Sequence, residues 1–376
     1  MTILDNLIKD INKKYKQDIM VKGNILPKCK RIPLTSPMLN YMLYGGIPRG
    51  KLTEFAGEEN GGKTTTALDV VKNAQILFEK EYQEELEFLN AKEKRSKTEE
   101  LKLQTLLNNG AKRIFYADCE NTLSEEWCKT LGVNLGDIFL LKPISQTAEQ
   151  IFEIILNAIE TNEIGLVVID SLGVMLSAQA FEKTMEEKTY GGISASLTLF
   201  SKKAELLCNS TGCTLIGINQ MREDMNSSYG GKITTGGKAW KHNCGLRLMF
   251  QKGSYIDANG NDLKRNAESP VGNIVSISLA KTKVFKPDRR IGYYTLIYSA
   301  GIDYVSDMIN LAISLGIINQ MGSWFNIIDK DTGECLTDVE TKEEIKVHGK
   351  ASLKQLLLEN LFIYEFIEKE IKLLLD

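Results

Sequence analysis

The feature that most constrains the fold of this 376-residue chain is a glycine-rich turn between an apolar run and a helix-forming run. The run before the turn is LTEFAG (52–57), and the run after it is TTTALDVVKNAQ. The spacing is GxxxxGK(S/T), and the residues are Gly57, Glu58, Glu59, Asn60, Gly61, Gly62, Lys63 and Thr64, followed by Thr65. This motif requires a strand before it and a helix after it, so we expect an α/β fold.

The turn also has the chemistry of a phosphate site. Glycines let the backbone wrap around phosphates with amide N–H groups pointing inward, and the following helix adds its positive N-terminal end. Lys63 can reach the β and γ phosphates, and the Thr64 hydroxyl can ligate Mg²⁺. The alternative is a flexible glycine loop before a helix, but the placement of strand, lysine and threonine favours a site for ATP and Mg²⁺ over residues 57–65.

Short apolar runs alternate with helical stretches from about residue 33 onward. This alternation is typical of a mostly parallel sheet covered by helices on both faces. The runs that we predict to be buried strands are 52–57, 113–120, 137–143, 165–171 and 213–220. Strand-like alternation returns over 268–300.

We divide the chain into three parts. Residues 1–32 contain an amphipathic helix over 1–22 and a basic connector, residues 33–303 form the core, and residues 304–376 form a smaller α/β unit that closes with an amphipathic helix near 351–375. Within the core, Glu and Lys repeat at helical offsets over 79–112, which predicts a solvated helix or helical hairpin.

Composition restricts the partners and the compartment. The net charge of −3 is not the footprint of a basic nucleic-acid-binding domain, so a DNA site has to be local. The stretch from Lys281 to Arg290, with five cations and one acid, is one candidate. No run of eighteen apolar residues and no secretory signal pattern occurs, so we expect a cytoplasmic protein without a membrane span. The scattered cysteines lack a CxxC pair, which argues against a zinc or disulfide framework.

Three more strand-like runs end in polar residues, which a doubly wound sheet would bring to one crevice. Asp170 follows LVVI and is placed to hold magnesium through water. Glu120 is assigned to orient or deprotonate the attacking water. Gln220 is assigned to bind the γ-phosphate and to report its presence to the following loop. Ordinary polar capping of strand ends remains the alternative for Glu120 and for Gln220.

These motifs, in this order, resemble the bacterial RecA recombinase family over roughly residues 1–360. The similar stretches are GGIPRGKLTEFAGEENGGKTTT, ADCENTL, VVIDS, INQMR, TTGGKAWK, Lys281-Thr282-Lys283, GID at 301–303, GSWF at 322–325 and HGKA at 348–351. TTGG followed by the KTK strand is the specific part, because the helicase and circadian-clock branches of the superfamily are not expected to carry it. The resemblance implies a RecA-type P-loop NTPase core with an N-terminal helix and a small C-terminal α/β domain.

The resemblance also implies roles at the nucleotide. Glu120 corresponds to the family's catalytic glutamate, Gln220 to its γ-phosphate sensor and Trp127 to the aromatic that stacks on adenine. Lys281 and Lys283 correspond to the lysine pair that reaches the neighbouring subunit's ATP. These cations would stabilise transition-state charge as an arginine finger does.

The family's two DNA-binding loops correspond to about 181–193 and 221–238. Phosphates would be held there by cations, with two glycines for close backbone approach and two side chains to wedge between or stack on bases. The residues are Lys203, Arg222 and Lys238; Gly236 and Gly237; and Met225 and Tyr229. For Met225 and Tyr229, ordinary loop packing is an equal alternative.

Some positions depart from the family pattern and indicate a divergent, phage-like member. Glu223 and Asp224 put acid inside the second loop, which should weaken attraction to phosphates. Ser196 stands where the family has an arginine, His242 where it has an aromatic for subunit coupling, and Ser124 where it has an acid near adenine.

The leading hypothesis is a DNA-dependent ATPase that forms a helical filament on single-stranded DNA and pairs it with duplex DNA for strand exchange in recombination and repair. The N-terminal helix would pack on the adjacent subunit. Three alternatives remain: a ring-forming motor such as a replicative helicase, a regulatory paralogue without strand exchange, and a small-molecule kinase. The kinase would leave TTGG and the lysine pair unexplained.

Overall fold

The computed structural model of the chain describes residues 2–15, 19–22, 29–183, 192–224, 231–264, 266–337 and 342–374, without the side chains of 222–224 and 231–233. The chain forms two compact units, Met1–Lys30 and Arg31–Asp376. The strands, in chain order, are β1 (Arg31–Ile32), β2 (Ile47–Pro48), β3 (Leu52–Gly57), β4 (Arg113–Asp118), β5 (Ile138–Leu141), β6 (Ile164–Asp170), β7 (Thr214–Asp224), β8 (Gly231–Thr234), β9 (Leu246–Ile256), β10 (Asp262–Leu263), β11 (Gly272–Thr282), β12 (Ile291–Ile297), β13 (Gly301–Ile302), β14 (Ile318–Met321), β15 (Trp324–Ile327) and β16 (Lys346–His348). The helices are α1 (Ile3–Tyr15), α2 (Pro37–Met42), α3 (Lys63–Asn90), α4 (Lys97–Asn109), α5 (Glu125–Leu131), α6 (Ala148–Glu160), α7 (Ala178–Phe181), α8 (Ser194–Thr211), α9 (Gly237–Asn243), α10 (Tyr304–Ser314), α11 (Lys350–Glu359) and α12 (Leu361–Leu373).

The first unit contains α1, which ends at Tyr15 rather than at residue 22 as the sequence pattern predicts. The Asn12 side chain exchanges two hydrogen bonds of 2.9 Å with the backbone of Met20. In a continuous helix these residues would be about 12 Å apart along the axis, at 1.5 Å per residue, so the chain cannot be helical throughout 12–20. The prediction of one helix over 1–22 is therefore wrong at its C-terminal end.

The second unit is built on one large sheet with strand order β13-β12-β11-β9-β3-β7-β6-β4-β5. Neighbouring strands from β9 to β5 are parallel, while β11, β12 and β13 continue the sheet in antiparallel pairs. The expected α/β fold with a mostly parallel sheet is confirmed. Register places Gly57 opposite Gln220, and Asp118 opposite Asp170, so the carboxyl ends of four strands adjoin.

Helices cover both faces of this sheet, which is why the central strands read as continuous apolar runs. Side chains alternate between the faces: on β6, Leu166 and Val168 join the core under α3, while Val167 and Ile169 join the core under α6 and α8. The same alternation places the side chains of neighbouring β7 residues on opposite faces of the sheet.

Strand β5 departs from the prediction of a buried strand. It is the last strand at one edge of the sheet, and Phe139 is 57% exposed. An apolar run fits an edge strand as well as a central one, because its composition does not reveal how many neighbours it has.

The charged stretch 79–112 forms the second half of α3 and all of α4. Ser96 and Glu99 form a capping box at the start of α4, and Lys102 pairs with Glu85 of α3 at 2.5 Å. Salt bridges between exposed side chains contribute little to the stability of such a hairpin. Leu89 of α3 and Leu103 of α4 are buried.

The C-terminal part contains α10, a three-stranded sheet of β14, β15 and β16, and two closing helices. The single helix predicted near 351–375 is interrupted at Asn360, whose side chain accepts a hydrogen bond from the Ile363 amide and starts α12. No helix among the described residues is long and apolar enough to cross a membrane.

Candidate nucleotide site

The carboxyl ends of β3, β4, β6 and β7 open onto one cavity of about 660 Å³. Residues 59–65 of the glycine-rich turn line it, together with Glu120, Trp127, Asp170 and Gln220. The structure therefore brings Glu120, Trp127, Asp170 and Gln220 together at the glycine-rich turn, although they come from separate parts of the chain.

The glycine-rich turn wraps around the amine of Lys63. Its Nζ donates to the carbonyl oxygens of Gly57, at 3.1 Å, and Glu58. Gly62 starts α3 at a φ of 87°, and a Cβ there would lie 2.8 Å from the Val275 side chain. Burial lowers the pKa of Lys63, and the nearby carboxylate of Asp170 opposes that change.

Thr64 and Asp170 meet at the base of the cavity. The Thr64 hydroxyl donates to Asp170 Oδ2 at 2.7 Å, and the Tyr116 hydroxyl donates to the same oxygen at 3.0 Å. Burial raises the pKa of Asp170, and these two hydrogen bonds oppose the rise. A hydroxyl and a carboxylate oxygen at this distance are the donor set that a hard divalent cation such as Mg²⁺ prefers.

Glu120 and Gln220 touch across the cavity. Gln220 Nε2 donates to Glu120 Oε1 at 3.1 Å, and the Ser171 hydroxyl donates to the same oxygen at 2.5 Å. The backbone amides of Cys119 and Glu120 donate to the Asp170 carbonyl, which fixes the end of β4 against β6. Ser171 was not among the predicted site residues, although it directly follows Asp170 in the chain.

The cavity lining also contains two residues that sequence reasoning missed. Asn273 and Tyr298 line it and share a hydrogen bond of 3.0 Å between the tyrosine hydroxyl and Asn273 Oδ1. They belong to β11 and to the turn after β12, far along the chain from the glycine-rich turn. Trp127 of α5 lines the same cavity, and the Ser124 hydroxyl caps the first turn of that helix.

Lys281 and Lys283 lie away from this cavity. Lys281 is opposite Arg247, near the start of β9, and Leu246 beside it pairs with Thr53 at the start of β3. The lysines are therefore near the amino end of β3, whereas the glycine-rich turn follows its carboxyl end. Lys281 Nζ donates to the carbonyl oxygens of Lys241 and His242 at 2.7 Å each.

The predicted DNA-binding residues are only partly described. Met225, Tyr229 and the side chain of Arg222 lie outside the described residues, as does most of the loop at 181–193. Gly236 and Gly237 have φ values of 94° and 71°. A Cβ on Gly236 would lie 2.2 Å from the end of the Leu197 side chain, so a larger residue there has to displace Leu197.

Two predicted cations lie on helices α8 and α9. Lys238 is exposed on α9, directly after the glycine pair. Lys203 is on α8 and lines a separate groove with Glu149 and Ser196, of about 260 Å³.

Sequence comparison decides the family. A profile of the RecA N-terminal domain matches residues 89–303, which is more than half of the chain. The chain belongs to the RecA family. The match starts after the glycine-rich turn, so the geometry of that turn is independent of it.

Full-length relatives are similar over nearly the whole chain. RecA from Phytoplasma mali is 26% identical over 376 residues, which cover 99% of this chain and 94% of the relative. RecA from Mycobacteroides abscessus is 28% identical and covers 98% and 91%, and RecA from Thermus aquaticus is 28% identical and covers 88% and 86%. The crystal structure of the RadB recombinase aligns with 70% of this chain and 94% of its own, at a TM-score of 0.44 and 19% identity.

Proposed function

We propose that this RecA-family chain is an ATP-dependent DNA recombinase that forms a filament on single-stranded DNA and pairs it with homologous duplex DNA. The observation that carries the proposal is the contact between Gln220 and Glu120 above the glycine-rich turn. It joins a candidate base for the attacking water to a strand that continues into the second proposed DNA loop.

Each group at the site has one chemical task in this proposal. The turn amides and Lys63 bind the phosphates, and Glu120 orients and deprotonates the attacking water. Thr64, and Asp170 through water, would hold Mg²⁺, which neutralises charge on the phosphates. Trp127 offers a flat apolar face for the base, and Tyr298 lines the same cavity.

The placement of Lys281 and Lys283 supports assembly of several chains. The lysines lie near the amino end of β3, whereas their own chain's cavity lies at the carboxyl ends of the strands. Cations placed there act on a nucleotide only if a neighbouring subunit presents one. A head-to-tail contact of this kind gives a helical filament when its rotation does not close.

The Glu120→Gln variant tests the assignment of the base. It keeps the side-chain shape and its contacts with Ser171 and Gln220, but it removes the carboxylate. We expect ATP and single-stranded DNA to bind as in the parent chain, and turnover to fall by about a hundredfold or more. The matched control is Glu126→Gln, at an exposed position on α5, which should turn over ATP normally.

Electron microscopy and strand-exchange assays test the larger claim. With ATP and single-stranded DNA, the parent chain should form open helical filaments and exchange strands. Closed rings without strand exchange would favour the motor, and equal turnover by Glu120→Gln and the parent chain would remove Glu120 from its role.

A further inference from the structure

Glu54 is a fully buried carboxylate in the middle of β3, and it does not line the nucleotide cavity. Three side chains from three other elements donate to it. Asn219 Nδ2 at 2.9 Å and Trp240 Nε1 at 3.0 Å reach Oε1, and Arg247 Nε at 2.5 Å reaches Oε2. A buried charge is stable only when it is paired and hydrogen-bonded, so these four residues hold one another in place.

Asn219 connects this cluster to the segment that ends the second proposed DNA loop. Its amide nitrogen donates one hydrogen to Glu54 and the other to the Thr235 carbonyl at 2.8 Å. Both neighbours are acceptors, so the amide orientation is determined by its surroundings. Thr235 is followed by Gly236 and Gly237, which start α9, and α9 carries Trp240.

The contact between β7 and this segment is incompletely satisfied. Among the described residues, Asn219 Oδ1 and the hydroxyls of Thr234 and Thr235 are buried without a hydrogen-bond partner. Each such atom has a free-energy cost, because it has left water without replacement. A displacement of residues 234–235 would change this cost, because it would change which of these atoms are exposed or paired.

Asn219 and Gln220 are consecutive on β7, so their side chains point to opposite faces of the sheet. Gln220 lines the nucleotide cavity, and Asn219 bonds to Glu54 and to Thr235, just before α9. Gly217, two residues before Asn219, lies against Trp240: a Cβ on Gly217 would be 2.6 Å from the indole ring. A movement of the end of β7 toward a phosphate is thus transmitted to α9 by direct contact.

We propose that Glu54, Asn219 and Trp240 are positioning residues that couple the nucleotide site to residues 234–240, and so make DNA affinity depend on the γ-phosphate. This inference rests on the proposed function, because it needs DNA at the loop that precedes Thr234. The regulated quantity is the difference in DNA affinity between the ATP-bound and the ADP-bound chain.

The test compares Asn219→Ala with Asn243→Ala, using full-length protein and a single-stranded oligonucleotide. Asn243 is a matched control, since its amide also makes a hydrogen bond from α9, but to Ser201 of α8 at 2.8 Å. For Asn219→Ala we expect the ratio of DNA-stimulated to DNA-independent turnover to fall about tenfold, because two buried hydrogen bonds are lost. The ratio of DNA affinities with ATP and with ADP should fall similarly. Both ratios should stay at the parent values in Asn243→Ala.

Trp240→Phe is the second variant, in case Asn219→Ala does not fold. It keeps an aromatic ring in the core but removes the indole N–H donor and the outer part of the indole that lies against Gly217, so a decrease of about threefold in both ratios is expected. A purely structural role would lower both turnover rates by the same factor and leave their ratio unchanged. If both variants keep parent ratios, the coupling is refuted while the proposed function stands; a parent chain that does not respond to DNA would refute both.

Discussion

Gly62 illustrates how closely the glycine-rich turn is packed. It combines a φ of 87° with a position where a Cβ would collide with both methyl groups of Val275. Gly62→Ala therefore has to move β11 or unwind the first turn of α3, and either change displaces the amides that we propose to bind phosphate. We predict that ATP affinity, measured by equilibrium titration, falls at least about tenfold.

The control for this prediction is Gly212→Ala. Gly212 ends α8 with a φ of 74°, and no atom lies within 4 Å of an added Cβ there. Both alanines carry the same left-handed strain, about 1–2 kcal/mol, but only the one at position 62 collides. Equal ATP affinities for the two variants would contradict the packing argument.

Single residues were predictable where a local pattern carries the chemistry. Lys63, Thr64 and Asp170 stand at fixed offsets in a turn or at a strand end, and the structure brings them into one cavity. Glu54 has no such pattern, because its donors come from positions 219, 240 and 247. Asn273 and Tyr298 were missed for the same reason, since only the antiparallel part of the sheet brings them to the cavity.

At the scale of elements, the packing of α2 against α10 depends on one buried acid. Asp307 on α10 is fully buried, and its Oδ2 accepts hydrogen bonds from the Ser36 hydroxyl and the Met38 amide. Burial raises the pKa of Asp307 to about 7; these hydrogen bonds and Lys350 oppose the rise, and Asp303 adds to it.

The raised pKa predicts that stability falls between pH 5 and pH 8. In this range the folded chain keeps the Asp307 proton that the unfolded chain releases, so each rise in pH favours unfolding until the folded pKa is passed. We expect this residue to lower the free energy of unfolding by on the order of 3 kcal/mol from pH 5 to pH 8.

Denaturant unfolding of Asp307→Asn at both pH values checks this prediction. The amide cannot ionise, so this variant should lose less stability than the parent chain between pH 5 and pH 8. The control is Asp331→Asn, an exposed acid in the same part of the chain, which should behave as the parent does. The prediction fails if the parent and Asp307→Asn lose the same free energy.

Elements were predictable where periodicity is sustained, and boundaries were not. The alternation of apolar runs and helices predicted β3, β4, β5, β6 and β7, but not β9, which is also parallel to its neighbour β3. It could not reveal that β5 is an edge strand, because an apolar run does not show whether the strand has a neighbour on one side or on both sides. The interruption at Asn360 was also not predicted. The apolar period continues through α11 and α12, while the Asn360 side chain caps the start of a new helix.

At the scale of the whole molecule, Lys281 and Lys283 lie at the opposite ends of the strands from their own chain's cavity. Mixing two inactive proteins tests whether these lysines act on a neighbouring subunit's ATP. One is Lys63→Ala, which keeps both lysines but has a defective phosphate site. The other is the double variant Lys281→Ala and Lys283→Ala, which keeps the phosphate site. Each protein alone should show little DNA-stimulated ATP turnover.

If the lysines act on a neighbour's ATP, a mixed filament contains working interfaces. A working interface needs the phosphate site of the double variant and the lysines of a Lys63→Ala neighbour. Random assembly from equal amounts makes about a quarter of the head-to-tail interfaces of this kind. Turnover should therefore rise to about a quarter of the parent rate on mixing, whereas lysines that serve their own chain's nucleotide would leave the mixture as inactive as its components. The double variant mixed with itself at the same total concentration controls for assembly, so an increase seen only in the mixture has to arise between subunits.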